Sequence, residues 1–214
     1  MEAGEWMTRR KEPHVTIIAG PNGVGKSTVA PRLMAEFGTT RFLNADVIAK
    51  GLRPADPASA AVAAGRIMHR QLNDARERRE SFALETTLSG LSLRNSISRL
   101  QETGYFVRLA FLWVPSPEIN VARVGIRVRY GGHFVPDEDV RRRFGRAIYN
   151  FERVYRRIVP MWRVYDARLP SATGDLPLIA IGAGDIVQEI YDVIAWRRLQ
   201  AQAAGFLPGG HDDG

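Results

Sequence analysis

Apolar and polar positions alternate along this chain in two kinds of block. Short runs rich in β-branched and aromatic residues recur at "HVTIIA" (14–19), "RFLNAD" (41–46), "SFALETT" (81–87), "YFVRLAFLWV" (105–114), "WRVYDA" (162–167) and "LPLIAIG" (176–182), and each reads as a strand. Between them the apolar positions fall at helical spacing. "KSTVAPRLMAEFG" predicts a helix closed by Gly38, and Asp56 to Arg79 predicts a long helix, with Val62, Ile67, Met68 and Leu72 inward and Asp56-Pro57 as cap and first turn. "SGLSLRNSISRLQETG" (89–104) places Leu93, Ile97 and Leu100 on one face and ends at Gly104. An arginine-rich helix follows Pro115-Ser116-Pro117 to about Tyr130, "GGHFVP" (131–136) breaks it, and "DEDVRRRFGRAIYNFERVYRRIV" starts again from an acidic first turn. "DIVQEIYDVIAWRRLQ" reads as a last helix, residues 1–13 as an N-terminal arm and 201–214 as a frayed tail.

Strands alternating with helices in this rhythm predict an α/β fold: a parallel sheet of five or six strands, right-handed crossovers and helices on both faces, in one domain over residues 14–200. Ligands in such sheets sit beyond the carboxyl ends of the strands. That rule selects the residues to examine. The longest apolar run, 105–114, predicts a central strand buried on both faces.

Composition changes the picture in three ways. Cysteine is absent from the 214 residues, which removes disulfides, thiol catalysis and Cys-ligated zinc. No stretch is apolar for the eighteen or so residues a membrane span needs, and the start lacks the apolar core of a secretory signal, so a cytoplasmic protein with no membrane partner is expected. The net charge of +7 is carried almost wholly by arginine, the only lysines being Lys11, Lys26 and Lys50. Arginine grips phosphate bidentately. Nucleic acid would suit that bias, but a kinase lid or a solvated helix face produces it equally, and nucleic acid is the less expected partner.

The chemistry begins at "AGPNGVGKST". Gly20-Pro21-Asn22-Gly23-Val24-Gly25-Lys26-Ser27 matches G-x-x-x-x-G-K-[ST] in full and lies between a strand and a helix. Backbone amides from Gly20 to Thr28 would cradle nucleotide phosphates, Lys26 would reach the β- and γ-phosphates, and Ser27 would ligate Mg²⁺. Asp46 is placed at the end of the second strand, where a carboxylate can take a proton from an acceptor hydroxyl or hold the metal's water shell; alternatively it caps the short helix "DVIAK". Glu85 and Thr86 end the third strand. They suit a polyhydroxyl acceptor, or Glu85 stands behind the Mg²⁺. Arg123, Arg127 and Arg129 on one predicted helix and Arg141, Arg142 and Arg143 on the next, joined by the Gly131-Gly132-His133 break, predict a hinged lid over about 120–145 that closes cations over a transferred phosphoryl group. His133 is expected as a hinge hydrogen-bonder. Four histidines without H-x-x-x-H or comparable spacing give no sign of a protein-built metal site. Leu88-Ser89-Gly90 has the look of a transporter-ATPase signature, but no apolar run ending in Asp-Glu follows it, and no base-reading Asn-Lys-x-Asp of a GTPase is present.

Taken together, "AGPNGVGKST", "NADVIA", "FALETTLSG", "RVGIRVRYGGHFVP" and "VRRRF" resemble the zeta-toxin family of P-loop kinases, in the branch often labelled a predicted ABC-type ATPase, over residues 14 to 166. The resemblance implies a kinase-type P-loop fold. It also implies ATP- or GTP-dependent phosphorylation of a nucleotide sugar, in the best-known members the 3′-hydroxyl of the N-acetylglucosamine moiety of UDP-N-acetylglucosamine. Carried over residue by residue, it places Lys26 on the family's P-loop lysine, Asp46 on its general base, and Glu85 and Thr86 on the segment that contacts the sugar nucleotide. Its two catalytic arginines fall between Arg123 and Arg143, with Arg127 first and Arg123, Arg142 or Arg143 second. An antitoxin that blocks the nucleotide cleft is implied as a partner. The "GGH" turn and "YDAR" depart from the better-known toxins and bear on the acceptor more than on the reaction. A small-molecule kinase is therefore expected, with a nucleotide-regulated module binding nucleic acid or protein as the alternative.

Overall fold

The computed structural model describes residues 12–56, 58–132, 134–168 and 176–206. Its frame is a sheet of seven strands in the order β2-β3-β1-β4-β5-β6-β7. Here β1 is His14–Ala19, β2 Arg41–Leu43, β3 Phe82–Thr86, β4 Phe106–Trp113, β5 Met161–Asp166, β6 Leu178–Ala183 and β7 Ile186–Ile190. The first five are mutually parallel, as the alternation of strands and helices predicts. Seven of the eight β4 residues are buried, which makes it the central strand that its continuous apolar run predicts.

The last two strands correct the sequence reading. β6 runs antiparallel to β5, and β7 antiparallel to β6. The first half of "DIVQEIYDVIAWRRLQ" is therefore strand rather than helix. Gly184, at φ 54, and Asp185 form the two-residue connection of a hairpin, for which a glycine in the left-handed region suits the tight reversal. The arrangement is fixed by burial of ions. Arg156 makes a two-pronged pair with Glu152 at 2.9 Å and donates to the carbonyls of Gly184 and Asp185, while the Trp162 indole N–H reaches the Gly184 carbonyl at 3.0 Å.

Helices cover the sheet as expected: α1 (Lys26–Phe37), α2 (Ala45–Leu52), α3 (Ala61–Glu77), α4 (Leu93–Glu102), α5 (Pro117–Arg129), α6 (Asp137–Asn150) and α7 (Val193–Gly205). α3 starts later than its sequence suggests, because the Ala58–Ala60 turn is 3₁₀ and Asp56 caps that turn by accepting from the Ser59 N–H; Pro57 lies outside the described residues. α6 continues through a π-helical turn (Phe151–Tyr155) into one more α turn (Arg156–Ile158). α7 extends past residue 200, where a frayed tail is expected. Gln202 accounts for this: it accepts from the Trp113 indole N–H at 2.9 Å and donates to the Pro115 carbonyl at 2.8 Å, while Phe206 packs on Tyr149 and against Gly145. The core is one continuous cluster around β1, β4 and β5, with Trp162 stacked on Trp196 at 5.7 Å. No described helix is long and apolar enough to cross a membrane.

The amino end of β1 carries a pH-sensitive element. His14 is buried, its ring nitrogens meeting the hydroxyls of Thr39 and Ser81 at 3.2 and 3.1 Å. Burial first, and the Arg108 charge second, hold its pKa below the ordinary 6.5. Protonation therefore favours the unfolded chain. The contribution of His14 is present in full above the unfolded value and is lost as pH falls from about 6.5 toward the folded pKa. Urea unfolding followed from about pH 7 downward is expected to show falling stability, and His14→Gln should flatten that slope relative to the wild-type chain.

Candidate active site

The glycine-rich loop is held in shape by close approach. A Cβ on Gly20 would stand 2.6 Å from the Leu112 carbonyl oxygen, and one on Gly23 would stand 2.5 Å from the Asn120 carbonyl oxygen, so only glycine lets the loop lie between β4 and α5. α1 leaves the loop with no acidic residue in its first turn, so its positive end is left for an anion. Lys26 is 7% exposed. Its ammonium donates to the carbonyls of Gly20 and Pro21 at 2.7 and 3.0 Å and stands 3.9 Å from Glu85 Oε1.

Glu85 is the side chain that gathers the site. The parallel register pairs Ile18 with Glu85 and Ala19 with Thr86, which sets the end of β3 beside the start of the loop. Its Oε2 accepts from the Ser27 hydroxyl and from Asn44 Nδ2, each at 3.0 Å. Of the two sequence readings of Glu85, this geometry is the one beside the Ser27 hydroxyl.

Asp46 stands elsewhere than the sequence suggests. β2 stops at Leu43, and Asp46 is the second residue of α2, not the end of a strand. The cap is Asn44, whose Oδ1 accepts from the Val47 N–H at 3.3 Å. An asparagine two residues before an acidic residue and an apolar helix is a start signal, and in "LNAD" it was absorbed into the preceding strand. Asn44 is thus a site residue missed by the motif reading. Asp46 follows Asn44 by two residues in the first turn of α2; its side chain is outside the described residues.

The helix pair α5 and α6, expected as a lid, has a small core of Val124, Val135 and Val140, backed by Val121 and Val128. α5 ends where Gly131 turns left-handed at φ 78; the hinge role expected of His133 falls outside the described residues. Two arginines of this helix pair touch the loop. Arg123 donates to the Val24 carbonyl at 3.4 Å and the Arg168 carbonyl at 2.8 Å, and burial lowers its pKa. Arg143 reaches Asn22 Oδ1 at 3.4 Å. Arg142 pairs with Asp139 at 2.7 Å, Arg141 pairs with Glu118, and the Arg127 stem lies against Gly132. The residue that seats the lid on the loop is Asn120, fully buried, whose Nδ2 donates to the Asn22 carbonyl at 2.5 Å. Nothing in its sequence context marks it, because an asparagine on an arginine-rich helix looks solvent-facing.

A mostly parallel sheet, a P-loop between β1 and α1, an acidic strand end beside the loop's serine and an arginine-bearing helix pair packed on the loop define a kinase-type P-loop fold, built to hold nucleotide phosphates. The chain belongs to the AAA domain family, which matches residues 15–152. It is 32% identical over 139 residues to an uncharacterized protein of Haemophilus influenzae, covering 65% of this chain and 96% of that protein. Among solved structures it is similar to the PezAT chromosomal toxin–antitoxin system of Streptococcus pneumoniae, with a TM-score of 0.63 and 17% identity over 95% of this chain and 96% of that one. It is similar also to the AvrRxo1-ORF1:ORF2 complex with ATP, with a TM-score of 0.66 and 15% identity over 98% of this chain and 69% of that one. The resemblance to zeta toxins read from five motifs therefore holds at the level of the whole fold.

Proposed function

We infer that this chain is a small-molecule kinase that moves the γ-phosphoryl group of ATP or GTP to a hydroxyl of a nucleotide sugar, UDP-N-acetylglucosamine being the first acceptor to try. The observation that carries this is the meeting of Lys26 and Ser27, at the start of α1, with Glu85 near the end of β3, while Arg123 and Arg143 reach the same loop from α5 and α6. A motor or switch needs the loop and a metal-side acid. Cations delivered from a separate helical lid suit transfer to an acceptor.

The donor set fits Mg²⁺, since a serine hydroxyl and a carboxylate oxygen 3.0 Å apart are hard oxygen ligands beside the phosphate cradle. Bound there, Mg²⁺ would neutralise charge on the β- and γ-phosphate oxygens, with Ser27 as ligand and Glu85 holding its water. The loop amides from Gly20 to Thr28 fix the phosphates. Lys26 turns from the Gly20 and Pro21 carbonyls toward them. Asp46 accepts the proton as the acceptor oxygen bonds to the γ-phosphorus, and the bond from that phosphorus to the bridging oxygen breaks with its electron pair going to the nucleoside diphosphate. Glu85 being directed at Ser27, contact with the acceptor rests mainly on Thr86 and its hydroxyl neighbours, with Arg142 at the lid edge.

The contacts of Arg123 and Arg143 with the loop support placing those two ahead of Arg127, which the family carry-over puts first. Arg123→Ala and Arg143→Ala are each expected to lower kcat by about 10²-fold or more. Arg127→Ala and Arg142→Ala should cost about tenfold or less; steady-state kinetics on the four variants checks the order. A protein partner belongs to the same reading, because the pneumococcal relative is part of a toxin–antitoxin system and AvrRxo1-ORF1 is solved with ORF2. A cytoplasmic location belongs to the same reading, because ATP and sugar nucleotides are found there.

The test is ATP consumption screened against UDP-sugars and other metabolites. Acceptor-dependent turnover supports the kinase reading. Salt-sensitive binding to random RNA or DNA with no acceptor-dependent turnover would support a nucleotide-regulated binding module instead.

A further inference from the structure

The turn that follows Glu85 is held from behind by the helix that leaves the lid. Leu88 sits in the left-handed region at φ 56 although it is a bulky, buried leucine, a conformation that its own sequence does not favour. Both of its backbone polar groups are taken by side chains: its N–H donates to Thr86 Oγ1 at 3.1 Å, and its carbonyl accepts from Asn150 Nδ2 at 2.8 Å. The reversal brings the Thr87 and Ser89 hydroxyls to 2.8 Å from each other. One residue further on, the Gly90 carbonyl accepts from the Tyr155 hydroxyl at 2.7 Å. Asn150 and Tyr155 are both buried.

The spacing of these two grips explains an irregularity in the helix. Residues five apart on an α-helix point about 140° away from each other. The π-helical turn Phe151–Tyr155 lies between them and changes that angle, so both reach one short turn; single π-turns of this kind recur at functional sites. The same helix, α6, carries Arg143, two turns before Asn150, onto Asn22 of the phosphate loop. One continuous element therefore touches the nucleotide loop at one end and the hydroxyl-bearing turn at the other.

We propose that Asn150 and Tyr155 are positioning residues for the acceptor: they hold the 86–90 turn, with its Thr86, Thr87 and Ser89 hydroxyls, in register with the lid helix, so that the acceptor is presented where the lid arginines close. This rests on the kinase reading for the role of the acceptor, but the hold on the turn stands independently of it. Their side-chain hydrogen bonds go to the turn at Leu88 and Gly90. Their loss should act on the acceptor side alone.

Asn150→Ala and Tyr155→Phe are compared with the wild-type chain in two measurements. In amide exchange, residues 86–92 are expected to exchange at least about tenfold faster in either variant, with the phosphate loop and α1 unchanged and the affinity for a fluorescent ATP analogue within about twofold. With UDP-N-acetylglucosamine as acceptor, KM for the acceptor should rise or kcat fall by about ten- to a hundredfold while KM for ATP stays. Tyr155→Phe removes one oxygen and keeps the core volume, so it remains informative where Asn150→Ala disturbs folding. Unchanged exchange at 86–92 in Tyr155→Phe and Asn150→Ala overturns the proposal, as does equal weakening of ATP and acceptor kinetics. A wild-type chain inactive on every UDP-sugar overturns the acceptor reading instead, and the exchange result then decides the hold on the turn by itself.

Discussion

Lys26→Ala is expected to lose phosphoryl transfer by about 10³-fold in kcat/KM while the chain stays folded. The ammonium it removes is buried, is held by two loop carbonyls, and is within 3.9 Å of the Glu85 carboxylate. A unit charge about 4 Å from an anionic oxygen, at the effective dielectric that describes protein sites, is worth about 4 kcal/mol. At about 1.4 kcal/mol per factor of ten, that is three powers of ten in rate if the interaction is made with the transferring phosphoryl group. Lys26→Arg should not restore it, because a planar guanidinium does not fit a pocket shaped for a compact ammonium between the Gly20 and Pro21 carbonyls. Steady-state kinetics alongside thermal unfolding checks both variants. Activity within tenfold of wild type would mean that the loop does not contact the phosphate that moves.

Asp46→Asn is expected to keep nucleotide binding and to lower acceptor phosphorylation by about 10²- to 10⁴-fold, the range for removing a positioned general base. The substitution preserves size and, because Asn44 rather than Asp46 caps α2, leaves the helix start intact. A stability loss is therefore not expected, and the rate is the readout. The nearby Glu85 does not replace the base, since its Oε2 is engaged by Ser27 and Asn44. Turnover close to wild type in Asp46→Asn, with a fluorescent ATP analogue still bound, would remove Asp46 from the chemistry.

Much of this architecture was legible before any coordinates. The loop from Gly20 to Thr28 declares itself because Gly20 and Gly23 are forced by close approach to Leu112 and Asn120 and Gly25 by its φ of 104. β4 is equally plain, since burial on both faces requires an unbroken apolar run. What escaped reading has a common physical cause: the deciding contacts are long-range and made by side chains whose local context is neutral. Gln202 anchors the end of α7 through Trp113 and Pro115, nearly ninety residues away, and its own neighbourhood looks like a polar tail. β7 hides because an exposed edge strand need not alternate cleanly, and its residues continue into a stretch with helical spacing. Glu85 and Ser27 are both marked by sequence, but their contact with each other depends on the β1–β3 register, which is a long-range feature. The lid shows the same limit. A run of arginines announces a cationic lid, yet only packing against Asn22, Val24 and Asp139 separates Arg123 and Arg143 from Arg142.

The account rests on transfer to an acceptor rather than to water. The most direct test incubates the full chain with Mg²⁺, ATP carrying a labelled γ-phosphoryl group, and UDP-N-acetylglucosamine, and follows the label by mass spectrometry of the small molecules, with Asp46→Asn as the control. The predicted result is a labelled phosphorylated sugar nucleotide that forms with the wild-type chain and is absent with Asp46→Asn. Label released only as inorganic phosphate, at the same rate with UDP-N-acetylglucosamine or any other hydroxylated metabolite present or absent, would contradict it.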